Sequence, residues 1–448
     1  MSAETIAGAA AAIARGELSP VELTGWLLAR IAATEPALHA YATITAEAAL
    51  ARAKALAGEP ARGPLHGIPI GIKDLIDTAG VRTCYGSPRF VGHVPERDAT
   101  AVAGLLAAGA VILGKHTTHE LAWGGRTDSA FFGPTHNPYR RGHIPGGSSG
   151  GSAASVAAGS ALGALGSDTA GSVRIPAALS GCVGFKPTRG RIPLDGVLPL
   201  APSLDHLGVL ARTVDDAALL MGGLAAPVAG EPPRRPRVGW LGGWFGAVLA
   251  PEARAALDTV RARLEDAGVT VVDVLVPGEP LMPEAPLARI VREAGARHRA
   301  AFGEDPELFG PDIAELMRLP PPSAEQVERQ EAALGRVVAA LRSALTGCDV
   351  LACATVPVTA PPIGAATVTV DGRAWPVELV LTRLTAPFNA AGLPAVSVPV
   401  ALAGGLPIGL QLAGAPLRDP TVLAAARLVE RLTPPLPRPT ISSEGIQR

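Results

Sequence analysis

The chain has 448 residues, of which 48 % are hydrophobic and 18 % charged, and 39 Lys plus Arg against 40 Asp plus Glu leave a net charge of −1. That length and balance fit a globular protein with a sizeable core, built as two or three domains or as one large α/β unit. Near-neutrality gives no electrostatic case for nucleic acid or an anionic membrane as partner, and an aromatic content of 4 % argues against a base-stacking platform.

From the N-terminus, the apolar stretch 6–14 lacks a basic leader and follows Glu4, while Ser19-Pro20-Val21-Glu22 reads as a helix cap, so no signal peptide is expected. Residues 3–57 read as two or three amphipathic helices, with Leu23, Leu27, Leu28 and Ile31 at helical spacing. Between Gly63 and Val228, strand-like runs at 68–72, 110–113 and 208–210 alternate with helical runs at 100–108, 152–159 and 214–222. That alternation predicts an α/β sheet. A Pro/Arg stretch at 231–236 reads as a linker, and 237–241, 251–267 and 269–276 form a β-α-β pattern. Residues 284–346 read as helices broken by Pro320-Pro321-Pro322; strands return at 350–354, 395–400 and 408–413, a helix covers 420–431, and the end from Pro434 reads as loose. There is no internal repeat. The late strands resume the character of the early ones, which predicts one sheet with a helical insertion. The Ala/Gly-rich stretches at 101–114 and 153–166 are too short to span a bilayer. Cys84, Cys182, Cys348 and Cys353 show no C-x-x-C spacing and read as reduced thiols, so the expected location is cytoplasmic.

Basic residues are distributed unusually. Lysine occurs only at positions 54, 73, 115 and 186, and arginine supplies every other cation. An ammonium can lose its proton near neutral pH, whereas a guanidinium stays charged above pH 12. Lys73 ends Gly67-Ile-Pro-Ile-Gly-Ile-Lys73, where Ile68, Ile70 and Ile72 share one strand face and Gly67, Pro69, Gly71 and Lys73 the other. Two readings fit: a snorkelling lysine at a strand end, or a desolvated lysine whose neutral form is a base.

Gly146-Gly-Ser148-Ser149-Gly-Gly-Ser152 has the composition of a flexible linker, but it opens directly into the helical run at 153–158. A Gly/Ser loop feeding a helix gathers backbone N–H groups around an anion or oxygen. It lacks the lysine of a P-loop. It also matches G-x-S-x-G without the preceding strand or late histidine that an α/β-hydrolase elbow needs. Gly166-Ser-Asp168-Thr169-Ala170-Gly171-Ser172-Val-Arg174 reads either as a turn capping a helix or as a turn whose amides converge on an oxyanion. His116-Thr-Thr-His119-Glu120 matches neither H-E-x-x-H nor H-x-x-E-H and reads as a helix-surface pair, so no metal is expected, and no other cofactor. A Ser-x-x-Lys motif is absent, since Ala51, Ile70, Ile112 and Val183 stand three residues before the lysines.

Taken together, residues 63–74, the 146–152 loop and the 166–176 segment resemble the amidase signature family in order and separation. The resemblance extends through Gly184-Phe-Lys186-Pro-Thr, 197–204, Gly392-Leu-Pro-Ala395 and Leu406-Pro-Ile-Gly-Leu-Gln411, and is weakest at 225–345. It implies a single α/β/α domain over 1–448 with a central mixed, twisted sheet covered by helices. Its parts would be N-terminal helices (1–60), a signature catalytic region (63–228), a variable, mostly helical insertion (229–350), a C-terminal sheet and helix (350–433) and a loose tail (434–448). It places the catalytic lysine at Lys73, a cis-configured bridging serine at Ser148 and the nucleophile at Ser172. The oxyanion hole would be the amides of Thr169, Ala170, Gly171 and Ser172, with Ser149, Asp168 and Arg174 in support. Ala170-Gly171 stands where the family often has Gly-Gly. The implied activity is hydrolysis of a small carboxamide to carboxylate and ammonia or amine. The alternatives are the glutamine-cleaving component of a tRNA-dependent amidotransferase and a ureide or carbamoyl amide hydrolase. The expected partner is the amide substrate, with homodimerisation left open by the resemblance. The pocket walls are expected from 284–346 and from the loop 123–132. Lys186 has no role that the sequence argues.

Overall fold

The computed structural model describes residues 4–229, 231–276, 285–303, 305–320 and 322–441. Its strands begin with β1 Tyr41–Ile44, β2 Pro69–Lys73, β3 Val111–His116, β4 Asp128–Ser129, β5 Gly133–Pro134, β6 Gly163–Ser167, β7 Val183–Lys186 and β8 Leu207–Ala211. They continue with β9 Val238–Gly243, β10 Val271–Val276, β11 Val350–Ala354, β12 Thr367–Val370, β13 Arg373–Pro376, β14 Ala395–Ala403 and β15 Leu406–Gly414. An 11-stranded sheet runs in the order β1-β3-β2-β6-β8-β7-β14-β15-β11-β9-β10, and β4-β5 and β12-β13 are separate two-stranded ribbons. Pairing is mixed. β2 lies parallel to both β3 and β6, β9 lies parallel to β10 and β11, and the central pairs from β6 to β11 are antiparallel.

The central strands are buried on both faces, and β2, β6, β7, β8, β11 and β15 carry no exposed residue. They read as continuous apolar and small-residue runs because helices cover both sides of the sheet. The β-α-β pattern expected at 237–276 appears as β9, the helix Pro251–Asp266 and β10, with β9 and β10 in parallel register. Among the described residues from 285 to 346, helices lie at Ala285–Phe302, Pro311–Arg318 and Ala324–Ala344.

Three helices, Ile6–Ala14, Pro20–Leu38 and Ala46–Ala57, form the N-terminal part, and Ser19 and Glu22 close the expected capping box. The sequence does not announce β1, which is only four residues long and lies at the sheet edge. Nor does it announce the β12-β13 ribbon and the short helices Val377–Arg383 and Ala386–Ala390, each too brief to show a period. The loose-end expectation for 434–448 falls partly outside the described residues, which stop at 441. No described helix is long and apolar enough to cross a membrane.

Candidate active site

The site lies at the carboxyl ends of two parallel neighbours. β2 ends at Lys73 and β6 ends at Ser167, with Ile72 in register with Leu165, so both chains leave the sheet at the same edge. Open α/β sheets place ligands at such edges.

Lys73 does not snorkel to the surface. Its side chain is fully buried, with Nζ 2.7 Å from Ser148 Oγ and 2.8 Å from Ser167 Oγ. Burial pulls the pKa of the amine down to about 7, against an opposing pull from the carboxylates of Asp168 and Asp205. The fall is desolvation of a charge without a carboxylate in contact, and it makes the neutral amine abundant at physiological pH.

Ser148 belongs to a buried loop that opens the helix Gly150–Ala158, so the segment is not a linker. The Gly147–Ser148 peptide bond is cis. The carbonyl of Ser148 accepts the amide of His119 at 3.1 Å and the hydroxyl of Thr127 at 3.3 Å. Thr127 Oγ1 also reaches the carbonyl of Gly146 at 3.0 Å and accepts the amide of Gly150 at 3.2 Å, which fixes the loop from behind. A side chain at Gly151 would place its Cβ 2.4 Å from the carbonyl oxygen of Ala40, so only glycine lets the helix start this close to the β1 end of the sheet.

Ser172 sits on the turn between β6 and the helix Arg174–Ser180 and is 8 % exposed. Ser149 joins the two loops, donating its amide to the carbonyl of Ser172 at 3.1 Å and its hydroxyl to the carbonyl of Ser167 at 3.2 Å. The turn is built around Asp168. Its carboxylate accepts the amides of Gly171 (2.8 Å) and Val173 (3.2 Å) and the guanidinium of Arg174 at 3.0 and 2.8 Å. Arg174 is fully buried and also donates to Gln411 Oε1 at 2.6 Å, Asn389 Oδ1 at 2.5 Å and the carbonyl of Thr385 at 3.1 Å. Buried charge is tolerated here because its donors find acceptors. Burial works against the ionised Asp168, but Arg174 holds its carboxyl well below the usual carboxylate range.

The expected set of four oxyanion donors needs one correction. The amide of Gly171 already donates to Asp168, whereas those of Thr169, Ala170 and Ser172 have no acceptor among the described residues. Gly171 contributes through its backbone instead. Its φ is 128°, and a Cβ there would lie 2.2 Å from Thr385 Oγ1, whose hydroxyl is bonded to the carbonyl of Ala170 at 2.5 Å.

Ser172 opens on a cavity of about 150 Å³. Apolar walls come from Trp123, Ile175, Leu200, Ile290 and Leu316, so the 285–302 and 311–318 helices and the start of the 123–132 loop do contribute. The other end of that loop does not, since Phe131 and Phe132 are exposed outside this cavity. An ionic group forms one rim, with Arg126 3.1 Å from Glu378, 3.3 Å from Asp312 and 3.5 Å from Asp128. A larger cavity of about 520 Å³, between Glu35, Tyr41, Arg82 and Thr117, is lined by none of Lys73, Ser148 or Ser172.

The two histidines of the 116–120 segment overturn the surface-pair expectation. Both are buried and neither is on an α-helix. His116 closes β3, and burial lowers its pKa to about 3. His119 lies 2.7 Å from Asp312; burial opposes its charge, but Asp312, Glu378 and Asp128 raise its pKa above the ordinary value. Ser167 is a site residue that the sequence does not single out. The one signal for it is its place as the last residue of a strand parallel to that of Lys73. Lys186 is buried, with Nζ donating to the carbonyls of Leu393 and Pro187, away from the two serines.

The family model for Amidase matches residues 22–423. The A-type chain of glutamyl-tRNA(Gln) amidotransferase from Roseiflexus sp. (strain RS-1) is 38 % identical over 96 % of each chain. Among solved structures, an amidase superposes with a TM-score of 0.87 at 34 % identity, covering 96 % of this chain and 100 % of that one. The corresponding glutamyl-tRNA(Gln) amidotransferase chain of Thermotoga maritima gives 0.78 at 28 % identity, covering 95 % of each. The match over nearly the whole length, on a mixed sheet that brings the signature segments to one edge, makes this chain a member of the amidase signature family, an enzyme acting on amides.

Proposed function

We propose that the chain hydrolyses a small carboxamide through an acyl-enzyme on Ser172. Neutral Lys73 takes a proton from Ser148, which takes one from Ser172 as Ser172 Oγ attacks the carbonyl carbon. The amides of Thr169, Ala170 and Ser172 are the proposed donors to the oxyanion, each typically contributing about 10²–10³ in rate. The amine departs with the proton returned along the same path, and water then hydrolyses the ester. The observation that carries this reading is the buried contact of 2.7 Å between Lys73 Nζ and Ser148 Oγ, with the amine pKa at about 7. Asp168 and Arg174 brace the turn and take no proton. We also read 1–448 as one catalytic unit, because eleven strands, the first (β1) and the last (β15) among them, share one sheet.

The apolar walls around Ser172 favour an uncharged acyl body, and Arg126 is already surrounded by carboxylates, so it is poorly placed to claim a substrate carboxylate. That favours a stand-alone amidase over the glutamine-cleaving component of an amidotransferase, as does the higher structural similarity to the amidase. The named relatives favour the second reading. A ureide or carbamoyl substrate would use the same relay. The test is to treat the purified chain with a fluorophosphonate probe and then assay it alone on aliphatic amides, ureides and glutamine. Labelling of wild type but not of Ser172→Ala, with turnover of simple amides, supports the proposal. Absence of labelling refutes it, and glutamine cleavage that requires an added partner chain selects the amidotransferase reading.

A further inference from the structure

A second cavity of about 170 Å³ adjoins the first, and Thr169 and Leu200 line both. Ser172 faces the first cavity, while Ser167, the other hydroxyl partner of Lys73, lines the second. Leu75, Val197, Leu198 and Pro199 make its apolar wall. Val197 and Leu198 are only partly buried, so the cavity reaches toward the surface along that segment.

Its polar groups are unequal. Asp205 is satisfied on both oxygens, by the hydroxyl of Thr169 at 2.6 Å and by the amides of Leu200 and Ala201 at 3.0 and 3.1 Å. His206 is 3 % exposed, and its Nδ1 lies 2.6 Å from the carbonyl of Leu204, which can only accept, so Nδ1 carries the ring hydrogen. Asn389 Nδ2 stands 3.4 Å from the same nitrogen, but it is engaged with Asp168 at 2.8 Å. Nε2 is therefore a bare acceptor, without a partner among the described residues. Burial and the nearby Lys186 hold the ring pKa well below its ordinary value, which keeps it neutral.

The proton must return to the departing nitrogen by way of Lys73, and Ser167 ties Lys73 to the second cavity, whereas Ser172 opens on the first. We infer that the second cavity is the leaving-group subsite, taking ammonia or a short primary amine, with His206 Nε2 accepting an N–H from the departing nitrogen. This rests on the acyl-enzyme reading above. As the C–N bond breaks, the acyl carbon stays on Ser172 Oγ. The nitrogen keeps the bonding pair, takes the proton that Ser172 lost, and leaves as a neutral amine. A water molecule takes roughly 30 Å³, so the vacated space then admits the water that hydrolyses the ester. His206 is a positioning residue toward that nitrogen.

The test is a series of amides sharing one acyl group, with ammonia, methylamine, butylamine and 1-naphthylamine as leaving groups, beside the methyl ester of the same acid. Wild type should lose more than tenfold in kcat/KM between the methylamide and the naphthylamide, and Leu198→Ala should recover the naphthylamide by at least tenfold relative to the primary amide. His206→Leu should lower kcat/KM on the primary amide about tenfold more than on the methyl ester, whose leaving oxygen carries no hydrogen to donate until it is protonated. His206→Gln, which retains an acceptor, should restore part of that loss. A His206→Leu variant that loses amide and ester turnover equally, or neither, overturns the assignment. So does a Leu198→Ala variant that changes acyl-chain preference instead of amine preference, and this second variant decides the matter if His206→Leu does not fold. Fluorophosphonate labelling of Ser172 separates the two levels: a labelled enzyme without amine selectivity loses only the subsite, whereas an unlabelled one loses the catalytic reading.

Discussion

The deepest test of the relay is the pH dependence of Lys73. An amine with the usual pKa of 10.5 would be neutral in only about one molecule in 3,000 at pH 7, whereas at a pKa of about 7 half the molecules carry the base. On the proposed relay, burial would thus supply about 10³ in active enzyme at neutral pH. The folded state bears the cost: a fall of about 3.5 pH units corresponds to roughly 5 kcal/mol of destabilisation while both states are protonated. The sign is fixed by proton counts. Below pH 7 folded and unfolded chains both hold the proton and the full penalty applies. Between pH 7 and 10.5 the unfolded state holds it and the folded state does not, so stability rises with pH through that window. The profile of kcat/KM on a simple amide should accordingly rise with pH to a plateau with a midpoint near 7. Lys73→Arg and Lys73→Met should each lose at least about 10³ in kcat/KM. Lys73→Met should also be more stable than wild type at pH 6, by several kcal/mol in urea unfolding, with the advantage shrinking by pH 9. A midpoint near 10, a Lys73→Arg enzyme with normal turnover, or a Lys73→Met protein that gains no stability at pH 6 would each refute the reasoning.

Three further outcomes are expected. Ser167→Ala removes one of the two hydroxyls on Lys73, which should lower kcat/KM about tenfold and move the acid limb of the profile to lower pH, since the ammonium loses a stabilising acceptor; an unmoved limb counts against direct contact in solution. Asp168→Ala leaves Arg174 buried without its carboxylate and releases the amides of Gly171 and Val173, so denaturant unfolding should show a loss of about 3–5 kcal/mol; a loss under 1 kcal/mol contradicts the bracing role. His119 owes its raised pKa to the carboxylates around it, so its contribution to stability is present below pH 6.5 and lost as pH rises through the raised folded value. In Asp312→Asn, NMR titration of that imidazole should show a midpoint below the wild-type one, because burial then has less to oppose it; an unchanged midpoint refutes the pairing.

How much could be read in advance depended on range. β2 was visible because Ile68, Ile70 and Ile72 alternate with small residues, and the 251–266 helix because its period is long and complete. The 146–152 loop was ambiguous by composition, since Gly and Ser serve a flexible linker and a buried helix start alike. What decides between them is Thr127, 21 residues before Ser148, whose hydroxyl holds the loop's carbonyls. The acceptors of Arg174 show the same limit, because Asn389 and Gln411 arrive from more than 200 residues away. His119 defies its local pattern for a related reason. The 116–120 spacing suggests a helix face, but β3 ends at His116, and the ion pair with Asp312 spans 193 residues. The charge environment of a site is set by contacts that no local window contains.

The scarcity of lysine acquires a physical meaning once the partners are compared. Lys73, Lys115 and Lys186 are all fully buried, and burial lowers the pKa of each. Lys115 meets the carbonyl of Ile76 at 2.5 Å and Thr83 Oγ1 at 2.6 Å, with Asp74 at 3.7 Å, and Lys186 meets two backbone carbonyls. A carbonyl can only accept, so those amines are committed to donating, whatever their charge. Among the described residues, Lys73 alone of the three has only hydroxyl partners, and a hydroxyl can turn its hydrogen toward the amine as readily as its lone pairs. The direction of the Lys73–Ser148 bond can therefore reverse within one geometry, as the two halves of an acyl-transfer cycle require. Arginine, always protonated and always a donor, could not reverse that bond.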